Sequence, residues 1–528
     1  MIQINVHTLP QEEVVYDSLR TTKDNIGVFQ MGASVTSHYC HRHKAITCLD
    51  DMSDIATIIR PGMKDAILDD GKSATDHFIS RKNGDEDITY LHPSLEKVLD
   101  KTVGLMPYQE TMLLVASEIA GFTLVEADLL RQAIGKKKID LMNKIGPKFI
   151  DGCQIHSNIP KETAEAIWGM IVSAGNYSFN KSHAASYAHI AYIDLWFRHH
   201  HPHLFYAASL AYEMLTGGDK FEKIKKIKRM IQSAKSRGID VAAPNLIRRN
   251  IHTEPSIEEN RIYLGFNAIS GVGVKGFKSI FKKIEVIEKK KGSILDRDFL
   301  SVLIHFYKAL GKTAMENFIC CGLFDGIDRN RAGMLYDCGD WAALTEIEQK
   351  WIGQWYETAR QPSGNMQEAL QALISAPIGK GGGCANMGRL GAVRSLYNLS
   401  EKNRPDRTTD QWVMAKEESL MGICLTPTRI VGANLDAVNM KISDIKDPVR
   451  DCVIAIQCKE ITVKTQKDGR DFAIIAAIDS DNSETDIFVF ADSYKKYVEL
   501  LYPNAQLLLH GFVSDRGSFV ALKIEPIK

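Results

Sequence analysis

The start of the chain, MIQINVHTLPQEE, lacks a basic stretch followed by an apolar core, so it does not read as a signal peptide. No run of about 18 apolar residues occurs, and no membrane span is expected. Charge of neither sign is in excess. Lys+Arg and Asp+Glu number 65 each, so any nucleic-acid face must come from local clustering. The ten cysteines are scattered with no C-x-x-C pair, and adjacent Cys320 and Cys321 sit in an apolar helical stretch. Reduced, buried thiols of a cytosolic protein are the expectation. There is no internal repeat and no low-complexity stretch. What remains is ordinary globular composition, 45% hydrophobic and 25% charged, over 528 residues, enough for three or four domains.

Residues 1–110 are mixed, with turn signals at Arg60-Pro61-Gly62 and Asn83-Gly84. Residues 110–215 read as helices. ETMLLVASEIAG has helical apolar spacing and stops at Gly121. Thr123 with Glu126 three residues on is a capping-box pattern that opens a helix running to Gly135. Another helix runs from about Ser182, a candidate N-cap, to Arg198 and is closed by Pro202. Residues 219–237 form a Lys-rich amphipathic helix whose lysines read as a solvated face. YLGFNAISGVGVKGFKSIFKKI places a Gly-rich turn between two short helical segments. Residues 330–420 carry Trp-rich helical pieces and a flexible surface loop at Gly379–Gly383. The last 78 residues read as strands CVIAIQCKEITVKT, DFAIIAAIDS and TDIFVFAD, a short helix SYKKYVELL, then strands QLLLHGFVS and SFVALKIEPI. Five strands with a helix between the third and fourth is the OB-fold order.

Four clusters could carry chemistry. Arg131 to Lys138, with Lys136 and Lys137, ends a helix and reads either as a solvated basic end or as a phosphate site. Phe179-Asn180-Lys181-Ser182-His183 opens a helix, where unpaired N–H groups beside Lys181 and His183 suit a polyphosphate; an incidental lysine on a capped helix is the plainer reading. Gly271, Gly273 and Lys275 form a G-x-G turn that can bring backbone N–H groups onto a DNA phosphate, or simply join two helices. His38-Tyr39-Cys40-His41-Arg42-His43 lacks the second ligand group a structural zinc site needs, and His199–His203 ends a helix. No metal site is assigned.

These motifs stand in one order. Gly27-Val28-Phe29-Gln30, Ile59-Arg60-Pro61-Gly62 and Phe78-Ile79-Ser80-Arg81-Lys82-Asn83-Gly84 come first. Tyr90-Leu91-His92-Pro93, Tyr108-Gln109-Glu110 and Glu126–Arg131 with Gly135–Lys138 follow, then Phe179–His183 with Ala185–Ala188. The ordered set resembles the fingers of bacterial C-family replicative DNA polymerases, the polymerase III alpha-subunit type, over roughly residues 10–330. The resemblance implies a multidomain α+β architecture: mainly helical fingers over 1–255, a helix-hairpin-helix region over 256–330, a helical connector over 331–448 and a C-terminal β OB-fold over 449–528.

It further implies nucleotide or phosphate contacts by Arg131, Lys136, Lys137, Lys181, Ser182 and His183, with Arg60 and Gln30 as further candidates. DNA contacts fall to Gly271, Gly273 and Lys275, and to Lys464, Arg470 and Arg516 in the OB loops. The family has a second arginine where Gln132 stands, which removes one charge contact. Its palm holds two Mg²⁺ ions on three aspartates ahead of the Gly27–Gln30 motif, and the chain begins after them. Asp85-Glu86-Asp87 and Asp479-Ser480-Asp481 sit beside turn signals and read as solvated turns, not substitutes. The Mg²⁺ is therefore expected on a separate palm-bearing chain, and this chain alone is expected to be inactive. Primer-template DNA and dNTP are the expected partners, in the cytoplasm of a bacterium or phage-infected host. A sliding clamp has no clear motif here: Gln371–Ser375 lacks the aromatic and Ser395–Leu399 lacks the glutamine. A non-catalytic DNA-binding accessory derived from such a polymerase is the alternative.

Overall fold

The computed structural model describes residues 4–22, 25–44, 46–68, 70–135, 138–175, 177–358, 364–426, 430, 432, 434–445, 447–466, 468–481, 483–515 and 517–527. Contacts divide the chain into two compact units, Met1–Phe205 and Tyr206–Lys528.

The described residues of the first unit are helical. In order they form α1 (Glu13–Thr21), α2 (Ser34–Arg42), α3 (Leu49–Ile58), α4 (Pro61–Asp65), α5 (Ala74–Lys82), α6 (Glu96–Leu99), α7 (Gln109–Ala120), α8 (Leu124–Gly135), α9 (Ile139–Ser157), α10 (Lys161–Ala174) and α11 (Lys181–His200); α12 (Pro202–Leu215) crosses the division. Helix α7 ends where Gly121 takes φ 69°, a left-handed C-cap. Helix α8 begins in the expected capping box: Thr123 N–H donates to Glu126 Oε2 at 2.9 Å and Glu126 N–H to Thr123 Oγ1 at 3.4 Å. A hydrogen bond from Lys148, with those from Thr123, holds the Glu126 carboxyl down at about 2.

Helices α7–α10 enclose a core around Met112, Ile119, Leu130, Phe149 and Ile171. Close approach of α9 to the end of α7 requires glycine at 152, where a Cβ would stand 2.2 Å from the Ala120 carbonyl oxygen. A second core lies between α1, α3 and α11, with the Tyr16 and Tyr192 rings 4.7 Å apart. Fully buried Arg198 of α11 donates to Asn25 Oδ1 at 2.9 Å and to the Ser18 carbonyl at 3.0 Å.

The second unit continues with α13 (Lys220–Lys235), capped by Asp219, and a small sheet of β1 (Asp240–Ala242), β2 (Glu254–Ser256) and β3 (Arg261–Tyr263), ordered β1-β3-β2. Strands of 3 residues are too short to show alternation, and the sequence reading missed them. Helices α14 (Val274–Lys291), α15 (Phe299–Leu310), α16 (Lys312–Cys320), α17 (Arg331–Ala343), α18 (Glu346–Thr358), α19 (Met366–Ser375), α20 (Met387–Asn403) and α21 (Asp410–Met421) follow.

The C-terminal residues form a closed barrel of β4 (Val449–Thr465), β5 (Asp471–Ile478), β6 (Glu484–Val489), β7 (Gln506–Val513) and β8 (Phe519–Pro526), ordered β4-β5-β6-β8-β7, with α22 (Ala491–Tyr497) between the third and fourth strands. Period-2 alternation sends Ile454, Ile456, Ala473, Ile475, Ile487, Val489, Leu507 and Leu509 into its core.

Four local expectations need correction. The segment ahead of Gly271 is a 3-residue 3-10 turn, Phe266–Ala268, not a helix, because β3 and the glycines leave it no more room. The Gly379–Gly383 loop is packed rather than loose: Gly382 and Gly383 are buried, and a Cβ on Gly382 would meet the Pro377 carbonyl at 1.8 Å. The lysines of α13 are not simply solvated. Lys228 bridges Glu418 and Glu484, each at 3.1 Å, and Lys223 donates to the Met214 and Thr216 carbonyls. Asp479 is only 5% exposed and accepts from the backbone of Ile442, Asp481 and Ser483, so it ties the hairpin inside.

Candidate functional site

In the first unit, the segment before α11 is pinned by backbone. Phe179 N–H donates to the Pro107 carbonyl at 2.8 Å and Gln109 N–H to the Phe179 carbonyl at 2.9 Å, a parallel bridge between Tyr108 and Phe179. This sets two aromatic rings side by side on neighbouring strands of backbone, and each carries a cation. The Arg60 guanidinium lies 3.8 Å from the Phe179 ring centre, and the Lys181 ammonium 5.5 Å from that of Tyr108. Among the described residues neither Arg60 nor Lys181 makes an ion pair, so both charges stay available to an anion.

Tyr108 is held from behind. Its hydroxyl donates to Asp54 at 2.5 Å, and Lys82 reaches the same carboxylate at 3.3 Å. Burial raises the Asp54 pKa, and burial with the Asp54 charge raises that of Tyr108. The hydroxyl thus stays protonated and the ring keeps its angle under Lys181.

The N-terminus of α11 differs from expectation. Asn180, not Ser182, is the cap: Asn180 Oδ1 accepts the His183 N–H at 2.8 Å, and the Ser182 hydroxyl also donates to it at 2.7 Å. Lys181 N–H donates to Glu110 Oε2 at 2.9 Å. The backbone donors at 181 and 183 are therefore spent internally, and the positive character of this site resides in side chains. His183 is exposed and joins a ladder of rings: 5.3 Å from Phe179, 3.9 Å from Tyr187, and from Tyr187 a further 5.0 Å to Phe29.

Gln30 follows Phe29 in a loop that packs along α11. The Phe29 N–H donates to Asp194 Oδ2 of α11 at 2.9 Å, while exposed Gln30 takes φ 61° at the loop tip. The structure thus gathers Arg60, Lys181, Ser182 and His183 around the N-terminal end of α11, and leaves Gln30 exposed in the loop beside Phe29. Arg131 stands on α8 and is partly neutralised, its Nε 2.9 Å from Asp128 Oδ1, with Gln132 on the other oxygen at 2.7 Å. Lys136 and Lys137 lie outside the described residues. Tyr108 and Phe179 had no assigned role from sequence; each stands two positions before a charged residue, Glu110 and Lys181, and that spacing is their only sequence signal.

In the second unit, Gly271 takes φ 87° and Gly273 caps α14, leaving Lys275 exposed at its first turn. Asn317 Nδ2 holds the turn through the Ser270 carbonyl at 2.8 Å. After α15, Gly311 at φ 77° turns the chain directly into α16. On the barrel, Lys464 is exposed, Arg470 is paired with Asp468 and Asp492, and Arg516 lies outside the described residues.

No metal-binding group of three or more His, Cys, Asp or Glu occurs among the described residues. The paired acids do not fit a Mg²⁺ pair: Asp85 bonds Lys44, Glu86 bonds His77 and Arg81, and Asp479 is filled by backbone donors. No helix among the described residues is long and apolar enough to cross a membrane.

Residues 1–157 match the family model of the bacterial DNA polymerase III alpha subunit finger domain. The chain is 31% identical to the DNA polymerase III subunit alpha of Caulobacter vibrioides over 62% of its length, and 34% identical to that of Halalkalibacterium halodurans over 53%. With the Escherichia coli K12 protein of the same name it shares 25% identity over 97% of its length. These alignments span 27%, 23% and 41% of the respective relatives, so the chain corresponds to less than half of each. With a finger-domain match over residues 1–157 and an alignment along nearly its whole length, the chain is similar to the DNA polymerase III alpha subunits.

Proposed function

We propose that this chain supplies the nucleotide- and template-contacting fingers and the DNA-binding domains of a replicative DNA polymerase, for template-directed synthesis, working with a palm whose aspartates hold Mg²⁺. Residues 1–255 are assigned to the fingers, 256–330 to the helix-hairpin-helix region, 331–448 to a helical connector and 449–528 to an OB-fold. The observation that carries this reading is the pair of cations without an ion pair among the described residues, Arg60 and Lys181, seated on Phe179 and Tyr108 beside His183. Such a pair offers charge to a triphosphate, whose negative charge shifts toward the leaving pyrophosphate as the bond breaks. The aromatic seats fix the cations, and among the described residues neither side chain is ion-paired.

The glycine turns at 271–273 and 311 support the hairpin assignment, because both leave backbone donors at helix starts where a phosphate backbone can approach without base reading. The closed order β4-β5-β6-β8-β7, with a helix before the fourth strand, supports the OB assignment.

The test is single-turnover incorporation with a palm-bearing polypeptide supplied, across nucleotide concentrations, with DNA affinity measured separately. Lys181→Ala and His183→Ala should impair incorporation more than DNA binding, Lys181→Ala by on the order of 2–4 kcal/mol, roughly tens- to hundreds-fold. Exposed Lys225→Ala on α13 should change little. Intact incorporation by Lys181→Ala together with loss by Lys225→Ala refutes this location of the nucleotide site. Incorporation by residues 1–528 alone, abolished by mutating one of their own acidic pairs, refutes the assignment of the metal-holding aspartates to a palm outside these residues.

A further inference from the structure

Among the helices of residues 331–448 one carboxylate stands without a partner. Asp340 of α17 is 4% exposed. Among the described residues neither of its oxygens accepts a hydrogen bond, and Oδ2 is sealed from solvent. Two nearby groups could answer it and do not. The Arg404 guanidinium is engaged by Asp337, Nε to Oδ1 at 2.8 Å and Nη2 to Oδ2 at 2.9 Å. The Ser400 hydroxyl sits beside the Asp340 carboxyl and favours its charge, but is itself buried without a formed hydrogen bond. Buried carboxylates are normally paired, because an unmet one lowers stability, and an exception that lines a cleft marks a candidate site.

Asp340 lies at the floor of a groove of about 370 Å³ along α17, walled by Leu335, Tyr336, Pro405 and Trp412. The Tyr336 hydroxyl donates to the Leu399 carbonyl at 3.3 Å and so leaves the floor unmet. At the mouth Gly339 is exposed, and a Cβ there would meet nothing within 4 Å. Glycine weakens a helix interior and no close approach demands it here; its effect is to leave the way to Asp340 clear. No other lining residue is charged. Lys416, whose ammonium lies 5.5 Å from the Trp412 ring centre, does not line the groove. A visitor therefore meets apolar and aromatic walls with one anionic oxygen at their end, since only Oδ1 can be reached. A guanidinium or a nucleobase edge draws its strength from forking onto two acceptors. An ammonium is a point charge that needs one oxygen, and an aliphatic stem suits the walls. A diamine brings a second charge for which the groove holds no second carboxylate.

We propose that this groove receives a lysine side chain of a partner protein, its ammonium on Asp340 and its stem against Tyr336 and Trp412. The charged groups that face Asp340 are Asp337 on α17 and Arg404 after α20, which bond one another. Burial, with the Asp337 charge, raises the Asp340 carboxyl to about 6. The ammonium takes the ionised form, so affinity should be full above this value and fall as pH drops through it.

Fluorine NMR of the full chain, grown with fluorinated tryptophan, reads the groove through the Trp412 resonance, assigned with Trp412→Phe. N-acetyl-lysine amide at millimolar concentration should shift that resonance. The norleucine and arginine counterparts, and cadaverine, should need about tenfold more, the difference of one charge-assisted contact. Asp340→Asn should remove the preference for lysine over norleucine; because it deletes a buried unpaired charge, the variant stays folded and the loss is one of recognition. Gly339→Leu, built into open space, should block lysine with the circular dichroism unchanged. Going from pH ~7 to pH ~5 should weaken lysine about tenfold and leave norleucine unaffected. The proposal is overturned if lysine causes no shift at millimolar concentration, or if its preference survives Asp340→Asn. It is equally overturned if arginine or cadaverine binds as tightly as lysine, since the groove then does not select a single ammonium.

Discussion

Replacing Arg198 with leucine tests how the Gln30 loop is held to α11. Arg198 is fully buried, and its guanidinium supplies donors to the Asn25 amide oxygen at 2.9 Å and the Ser18 carbonyl at 3.0 Å. Leucine fills part of the volume but leaves the Asn25 amide oxygen without its donor in a site closed to water, at about 1–3 kcal/mol, while the Ser18 carbonyl keeps the Thr22 N–H at 3.2 Å. Some of this returns because the variant has no charge to desolvate. The net loss should be about 1–3 kcal/mol, a fall of roughly 2–12 °C in the melting of a unit this size. Because the chain has two units, one melting point does not describe it. Scanning calorimetry should therefore be paired with hydrogen exchange, which should accelerate first in residues 25–31 and leave the barrel amides unchanged. A first-unit transition within about 2 °C of the parent, or no added exchange at 25–31, refutes the assignment of Arg198 as the anchor of this loop.

Gly152→Ala should destabilise the first unit by at least about 2 kcal/mol, read by chemical denaturation, since the added Cβ meets the rigid Ala120 carbonyl rather than a yielding side chain. Burial pushes the Asp340 carboxyl up to about 6 from 3.8, so its contribution to stability is complete below the ordinary value and is lost as pH rises through about 6. Asp340→Asn should flatten that decline in a pH series of melting curves and gain up to about 1–3 kcal/mol above pH ~7, whereas an unchanged pH profile contradicts it. Binding of residues 260–528 to DNA should be largely sequence-independent and weaken with salt, and Lys275→Ala should lower the log–log slope by about 0.7–0.9 if that exposed lysine neutralises a phosphate.

The sequence by itself determined the local elements and their order. Gly121 ended α7, Thr123 and Glu126 opened α8, and alternation over 452–527 marked the barrel strands and the helix among them, because caps and period-2 burial depend on neighbours a few residues apart. The ordered motifs likewise pointed to the family that the finger-domain match bears out. Only the tertiary structure decided which charges are free. Lys181 and Arg60 lie 121 positions apart, yet the backbone bridge from Tyr108 to Phe179 seats both on adjacent rings. The same packing brings Glu110 onto the Lys181 N–H that the sequence left open, and Asp492 onto the Arg470 that it left cationic. A helix start or a basic loop can be read from local chemistry, but whether its donors and charges face solvent or an internal acceptor depends on residues that only folding makes neighbours.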